Sequence, residues 1–307
     1  MATASRYRSH LVLLGLVAIW GGSYAIVKSA VATVPPFALL VVRFGFAVAC
    51  LLPLAMSARD AGSRFRTSAL PGSAAGVLLA IGYSTQTVGM VETSASLAGI
   101  LAGLIPLLVA LGGWWFLGSA PGRLGLIGLA VGFCGLGFLI WPSAPAAGEA
   151  ADTPRGIVLQ IISAISYTAH VLLLSRFGAR VSPVHFCVWQ LSFVVAAGLV
   201  SGAVFEPGAL ATVEWTPRFL LQIAYLGGLA TAFAIAVQGQ VQHRIPPAHV
   251  AILFAAQPLF AAVFGAAFLG DRLGPLRLIG GGLVIVGIVC SAFDEPRAVA
   301  GKGQSKK

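Results

Sequence analysis

Polar side chains are few within the apolar stretches of this chain, and they fall on helical faces. Trp20, Ser23, Tyr24 and Val27 follow the i, i+3, i+4, i+7 spacing that puts side chains on one side of a helix. Tyr83, Gln86 and Thr87 share a face in the same way, and so do Tyr167 and His170. Gln190 follows Trp189, and Gln238 stands 152 residues after Gln86. His249 and Gln257 lie eight residues apart, with Gln257 beside Pro258. Rings, amides and hydroxyls of this kind bind and orient a solute: aromatic faces cover its apolar body while an amide hydrogen-bonds its polar end. A packing role is also open to each. Trp189 suits an interfacial belt, Trp20 and Tyr24 suit contacts with neighbouring helices, and Gln257 suits an interhelical hydrogen bond of about 1 kcal/mol. His170 and His249 read as neutral hydrogen-bonding groups in preference to proton carriers.

Charge adds to this picture by its placement. Lys28 and Arg43 are the two formal charges inside the apolar stretches. Lys28 is close to the end of its stretch and can snorkel to the surface. Arg43 is seven residues beyond Pro36, which is about 10 Å deep at ~1.5 Å per residue. It can anchor to outer headgroups or hold a substrate carboxylate in its guanidinium fork. All nine Asp and Glu fall in loops or tails. No acid is therefore available at depth to alternate between a proton and an organic cation. That counts against a cationic-drug antiporter and favours a neutral or zwitterionic solute. Coupling stays open between exchange, facilitated efflux and a histidine proton path. Cys50, Cys134, Cys187 and Cys290 lie in separate stretches without metal or redox spacing and read as small apolar fillers. No metal or cofactor is implied.

These residues need elements that hold them in lipid. Charged residues make up 9 % of the 307-residue chain and apolar residues 58 %. A soluble domain would carry about 25 % charged residues, so soluble enzymes, disulfide scaffolds and disordered chains are excluded. A membrane-crossing helix needs about 20 apolar residues. Ten segments qualify: 11–32, 36–55, 70–90, 95–117, 123–141, 156–177, 183–204, 218–241, 247–269 and 274–293. Their apolar runs are continuous, which predicts an all-α integral membrane protein and not a barrel. Linkers are short, the longest being 56–69, 142–155 and 205–217. The first apolar run is longer than the ~7–15 residues of a signal-peptide core and is read as a span.

With the N-terminus inside, thirteen Lys and Arg fall in inside segments and four, Arg155, Arg218, Arg272 and Arg277, in outside loops. The positive-inside rule then predicts both termini in the cytoplasm. The net charge of +10 follows from this bias and calls for no nucleic acid. A shift of 152 aligns 93–141 on 245–293 without a gap, with 15 of 49 positions identical, Pro106/Pro258 and Gly113/Gly265 among them. A shift of 147 brings Pro36 onto Pro183. Spans 1–5 and 6–10 thus read as homologous halves, 11–141 and 156–293, between short tails at 1–10 and 294–307. Because five is odd, the second half enters from the opposite side: a 5+5 inverted-topology repeat, with the solute bound near the midplane.

On these residues the chain resembles the EamA family of the drug/metabolite transporter superfamily, from about residue 11 to 293. The resemblance rests on Trp20-Gly21-Gly22-Ser23-Tyr24, on Pro36 followed by Arg43, and on the Pro106 and Pro258 helices. The Leu269-Gly270-Asp271 turn and the repeat itself complete it. It implies export of amino acids or small metabolites across a bacterial inner membrane by alternating access. Members often carry Glu at the turn after span 4; here Ser119 stands there, with Asp271 only in the second half. The expected effect is on stability more than on transport.

The residues expected to face the solute are Trp20, Ser23, Tyr24, Arg43, Tyr83, Gln86, Tyr167, His170, Gln190, Gln238, His249 and Gln257. Spans 4–5 and 9–10, dense in glycine, are expected to form a packed scaffold, and spans 1–3 and 6–8 the moving walls. The implied partners are a small-molecule substrate and the lipid bilayer, with a homodimer open beside a monomer. The competing readings are a channel, an intramembrane enzyme and broader-specificity drug efflux. The enzyme lacks a membrane acid or a catalytic motif, and the channel lacks a re-entrant segment.

Overall fold

The structure is a computed structural model. It describes residues 2–57, 60–117, 119–141, 152–177, 182–241, 253–254, 256–294 and 297–298. The described chain is helical apart from one two-residue antiparallel pairing, Ser119–Ala120 with Arg297–Ala298. The helices in order are α1 Ala2–Val31, α2 Pro36–Met56, α3 Ala61–Val91, α4 Ala95–Ala102, α5 Leu104–Leu117 and α6 Arg123–Ile140. After the gap come α7 Pro154–Phe177, α8 Pro183–Phe205, α9 Pro217–Ile223, α10 Ala234–Val241, α11 Gln257–Leu269 and α12 Pro275–Ala292. Among the described residues, six helices are long and apolar enough to cross a membrane, and three shorter apolar helices accompany them. Large apolar side chains such as Leu70, Leu221 and Phe268 stand exposed on the outside of the bundle. A soluble protein hides such residues, whereas a bilayer solvates them. The protein is a multi-pass membrane protein.

Three expected boundaries are corrected. Residues 61–69, expected as linker, are the first turns of α3. The tertiary contact that holds them is Trp189, whose indole donates to the Phe65 carbonyl at 2.8 Å and packs on its ring. Segment 95–117 is two helices, broken at Gly103. Pro106 explains the break, because its ring clashes with the carbonyl four residues back and its nitrogen carries no hydrogen. Segment 218–241 is helical throughout, but Ala224–Phe233 is π-helical between α9 and α10. Such wide turns free carbonyls and cluster at functional sites.

Glycine sets the helix approaches. A Cβ on Gly128 would lie 2.6 Å from the Gly287 carbonyl, and one on Gly287 2.6 Å from the Gly128 carbonyl. Gly135 and Gly280 face each other in the same way, at 2.6 and 2.7 Å. α6 and α12 therefore run antiparallel, backbone on backbone. The break at Gly103 also meets the first turn of α11, since a Cβ on Gly103 would touch the Pro258 ring. α3 packs on α7 and α8, α2 on α8, and α1 and α4 on α11.

The end carrying the loops at 33–35 and 92–94 is sealed by an apolar cluster that includes Ala30, Val34, Ala38, Val213 and Phe219. Acids tie it together at helix N-termini, where the dipole favours negative charge. Glu206 accepts from the Phe37 and Ala38 amides, Asp271 from Ser96 and Asp152 from Ser94. Asp152 also pairs with Arg277, and Glu92 with Arg155. Lys28, as expected, reaches the end of the bundle, where it donates to the Met90 and Val91 carbonyls and caps α3.

Candidate functional site

One cavity of about 260 Å³ opens inside the bundle. α1 supplies Trp20, Ser23, Tyr24 and Val27 to its wall, four residues on one helical face. Arg43 comes from α2, Tyr83, Gln86 and Met90 from α3, Ile105 from α5, and Tyr167 from α7. Ala230 of the π-helical stretch, Gln238 of α10, Phe254 and Gln257 complete it. Nine of the twelve residues expected from sequence thus meet around one space. His170 and Gln190 do not line it; they bond to each other between α7 and α8 at 2.9 Å. His249 lies outside the described residues.

The side chains are held in place by a small number of bonds. The Trp20 indole donates to the Ala230 carbonyl at 2.8 Å, and its ring lies 5.5 Å from that of Phe254. Ser23 donates to the Trp20 carbonyl of its own helix. Gln86 is the hub of the next layer: its amide donates to the Tyr24 hydroxyl and its oxygen accepts from Tyr167, both at 3.2 Å. The Gln86 carbonyl in turn accepts from Gln160, which fixes α3 against α7. Tyr83 stands between Phe44, at 4.4 Å between centroids, and Tyr167, at 5.2 Å. The Arg43 guanidinium lies 4.8 Å from the Phe44 centroid and 5.4 Å from that of Tyr83. Gly227 lets the π-helical stretch close on α2, because a Cβ there would lie 2.6 Å from the Arg43 carbonyl.

Gln257 is the first residue of α11, and its side chain makes no hydrogen bond among the described residues. Its amide is thus offered to the cavity beside Pro258. Sequence reasoning placed Val27 on the face of Trp20, Ser23 and Tyr24 without counting it among the solute contacts, and it missed Met90, Ile105, Ala230 and Phe254 as wall residues. Three carried a signal: Met90 is one turn beyond Gln86, Phe254 is three residues before Gln257, and Ile105 precedes Pro106. Ala230 carried none, because what it offers is a backbone carbonyl. No group of three or more metal-binding side chains exists among the described residues.

Long apolar helices around a cavity lined by both polar and apolar side chains suit a membrane transporter, and comparison places the chain in such a family. The sequence profile of the EamA-like transporter family matches residues 8–141 and again 154–293. The chain belongs to the EamA-like transporter family. It is 25 % identical over 277 residues to an uncharacterized transporter of Archaeoglobus fulgidus, covering 90 % of this chain and 83 % of that one. It is 25 % identical to the uncharacterized transporter YvbV of Bacillus subtilis, over 97 % of this chain and 95 % of that one. It is 24 % identical to the uncharacterized inner membrane transporter YedA of Escherichia coli, over 92 % of each. A solved crystal structure shares the fold with a TM-score of 0.62 and 19 % identity, over 92 % of this chain and 96 % of that one.

Proposed function

We propose that the protein is a secondary transporter that exports a small neutral or zwitterionic, amino-acid-like metabolite across a bacterial inner membrane by alternating access. The cavity carries this reading, because its wall draws on helices from before residue 141 and after residue 154 alike. Its volume of about 260 Å³ lies just below the ~300–1,000 Å³ of sites that enclose drug-sized ligands, which favours a metabolite over a drug. Among the described residues no Asp or Glu lines it, so a cation finds no counter-charge among them. Trp20, Ser23, Tyr24, Arg43, Tyr83, Gln86, Tyr167, Gln238 and Gln257 are the proposed contacts. The inner-membrane location is carried over from the similarity to the Escherichia coli inner membrane transporter YedA.

The proposed frame is ten spans in two inverted halves, 11–141 and 156–293. The two family matches, each nearly coextensive with one half, support it. The glycine contacts support it independently. Shifting by 152 turns Gly128 into Gly280 and Gly135 into Gly287, so the contacts Gly128–Gly287 and Gly135–Gly280 exchange with each other. A two-fold axis in the membrane plane has this property. With the termini inside, as the charge census argues, the sealed end is the outer one. The arrangement is then the loading state of an exporter.

Efflux from proteoliposomes loaded with labelled amino acids and small metabolites tests the reading. Saturable efflux of a neutral or zwitterionic solute is expected, reduced in Gln257→Leu. A non-saturating ion current would replace the transporter by a channel, and no efflux of any solute would remove the export function.

A further inference from the structure

We propose that Arg43 anchors a carboxylate of the transported solute, so that the substrates are small carboxylic acids, with or without an amino group. The proposal rests on the transporter reading above and revises its substrate class: it keeps the zwitterionic solutes, replaces the neutral ones by carboxylates and admits acids without an amine. Arg43 is 6 % exposed, and its guanidinium carries its charge at any physiological pH. Both ion pairs among the described residues, Arg155 with Glu92 and Arg277 with Asp152, lie at the sealed end and leave Arg43 without a carboxylate. Its Nε is buried and makes no hydrogen bond. The faces of Phe44 and Tyr83 offset part of the lost hydration. A buried cation without an anion is nonetheless strongly unfavourable. An anionic group arriving with the solute relieves that, and the planar fork of Arg matches a carboxylate in two bonds.

The hydroxyls nearby have the same polarity. Tyr24 accepts from the Gln86 amide, so its own proton remains free to donate. The Tyr83 hydroxyl makes no hydrogen bond among the described residues, and Tyr83 lines the cavity next to Arg43. Arg43 and Tyr83 thus stand side by side in the wall as donors, and the same wall holds the Gln257 amide and the rings of Trp20 and Phe254. With no acid in the wall, an ammonium group is tolerated and not required. A solute carrying an amine alone meets the Arg43 charge and is repelled.

The test uses the purified full chain and two matched sets of probes: 3-phenylpropionate, 3-phenylpropanamide and 2-phenylethylamine, then butanoate, butanamide and butylamine. Thermal stability is read with each probe, with chloride and inorganic phosphate as separate arms. Efflux of each labelled probe from loaded proteoliposomes is read in parallel. At least one carboxylate should bind tenfold or more tightly than its amide, and its amine should not bind. Arg43→Gln should abolish that preference, and Arg43→Lys should keep it at weaker affinity. Tyr83→Phe, which keeps the ring, should weaken the carboxylate about threefold or more. If Arg43→Gln does not fold, Arg43→Lys and Tyr83→Phe still decide. An amide that binds as well as its acid overturns the proposal. So does an unchanged preference in Arg43→Gln, stabilisation by chloride or phosphate equal to that by the acids, or no effect of either carboxylate. Efflux of amides without acids would sink the proposal and leave the transporter standing. Binding of acids with no efflux of any probe would do the reverse.

Discussion

At the scale of single residues, Trp20 and Gln257 divide the labour of the cavity wall. Trp20 is fixed by its bond to the Ala230 carbonyl, so its ring is a preorganised surface. Gln257 makes no side-chain hydrogen bond among the described residues, and the proposal assigns its amide to the solute. Trp20→Ala and Gln257→Leu should each lower efflux at least tenfold, about 1.4 kcal/mol, with membrane abundance and monodispersity near wild type. Quantified efflux per folded molecule checks this, and wild-type rates in both variants would place the cavity on the wrong helix faces. The histidines make a second residue-scale prediction. His170 is engaged by Gln190 away from the cavity, so a titrating role must act through that pair. If transport is proton-driven, His170→Gln combined with His249→Gln should flatten the pH profile of efflux. An unchanged profile leaves exchange or facilitated efflux.

At the scale of elements, glycine and proline do what side chains cannot. α6 and α12 touch through backbone at Gly128 and Gly287, so any Cβ must push the helices apart. Gly128→Val should cost about 3 kcal/mol, at the upper end of overpacking, and shift the protein from a monodisperse peak to aggregate in size-exclusion chromatography. Gly137→Val is the control, because nothing lies within 4 Å of a Cβ there. Asp271 shows the complementary device, a carboxylate on the Ser96 amide at the start of α4, at 2.8 Å. Asp271→Ala should lower thermal stability by about 1 kcal/mol and leave the efflux rate of the folded fraction unchanged. A lost rate at full stability would move Asp271 from the frame to the mechanism.

At the scale of the whole molecule, the directions of the helices carry the argument. α6 against α12 is antiparallel and α3 against α8 parallel, since Gly72 and Gly76 meet Trp189 and Phe193 in the same order. The proposed ten spans with both termini inside give both directions. In a background without Cys50, Cys134, Cys187 and Cys290, single cysteines at Ala147 and Thr212 should label from outside, and those at Ser63 and Gly178 should not. Outside labelling at Ser63 would end the inverted-repeat assignment.

The sequence by itself determined the membrane class and picked out most of the residues that line the cavity. Bilayer thickness and helical period are read directly from apolar runs, and a polar side chain at depth has little choice but to face a cavity or another helix. Trp20, Tyr24, Tyr83 and Gln257 were legible for that reason. The tertiary structure decided what depends on the partner. Only packing shows that Gln190 meets His170 and not the cavity, or that Lys28 ends on the Met90 carbonyl, because each could reach more than one neighbour. The π-helical stretch at Ala224–Phe233 and the wall carbonyl of Ala230 left no mark in side-chain pattern, being properties of backbone held by neighbouring helices. Arg43 lies between the two cases. Its depth was countable from Pro36, but its lack of an anionic partner became visible only when every described neighbour was in place.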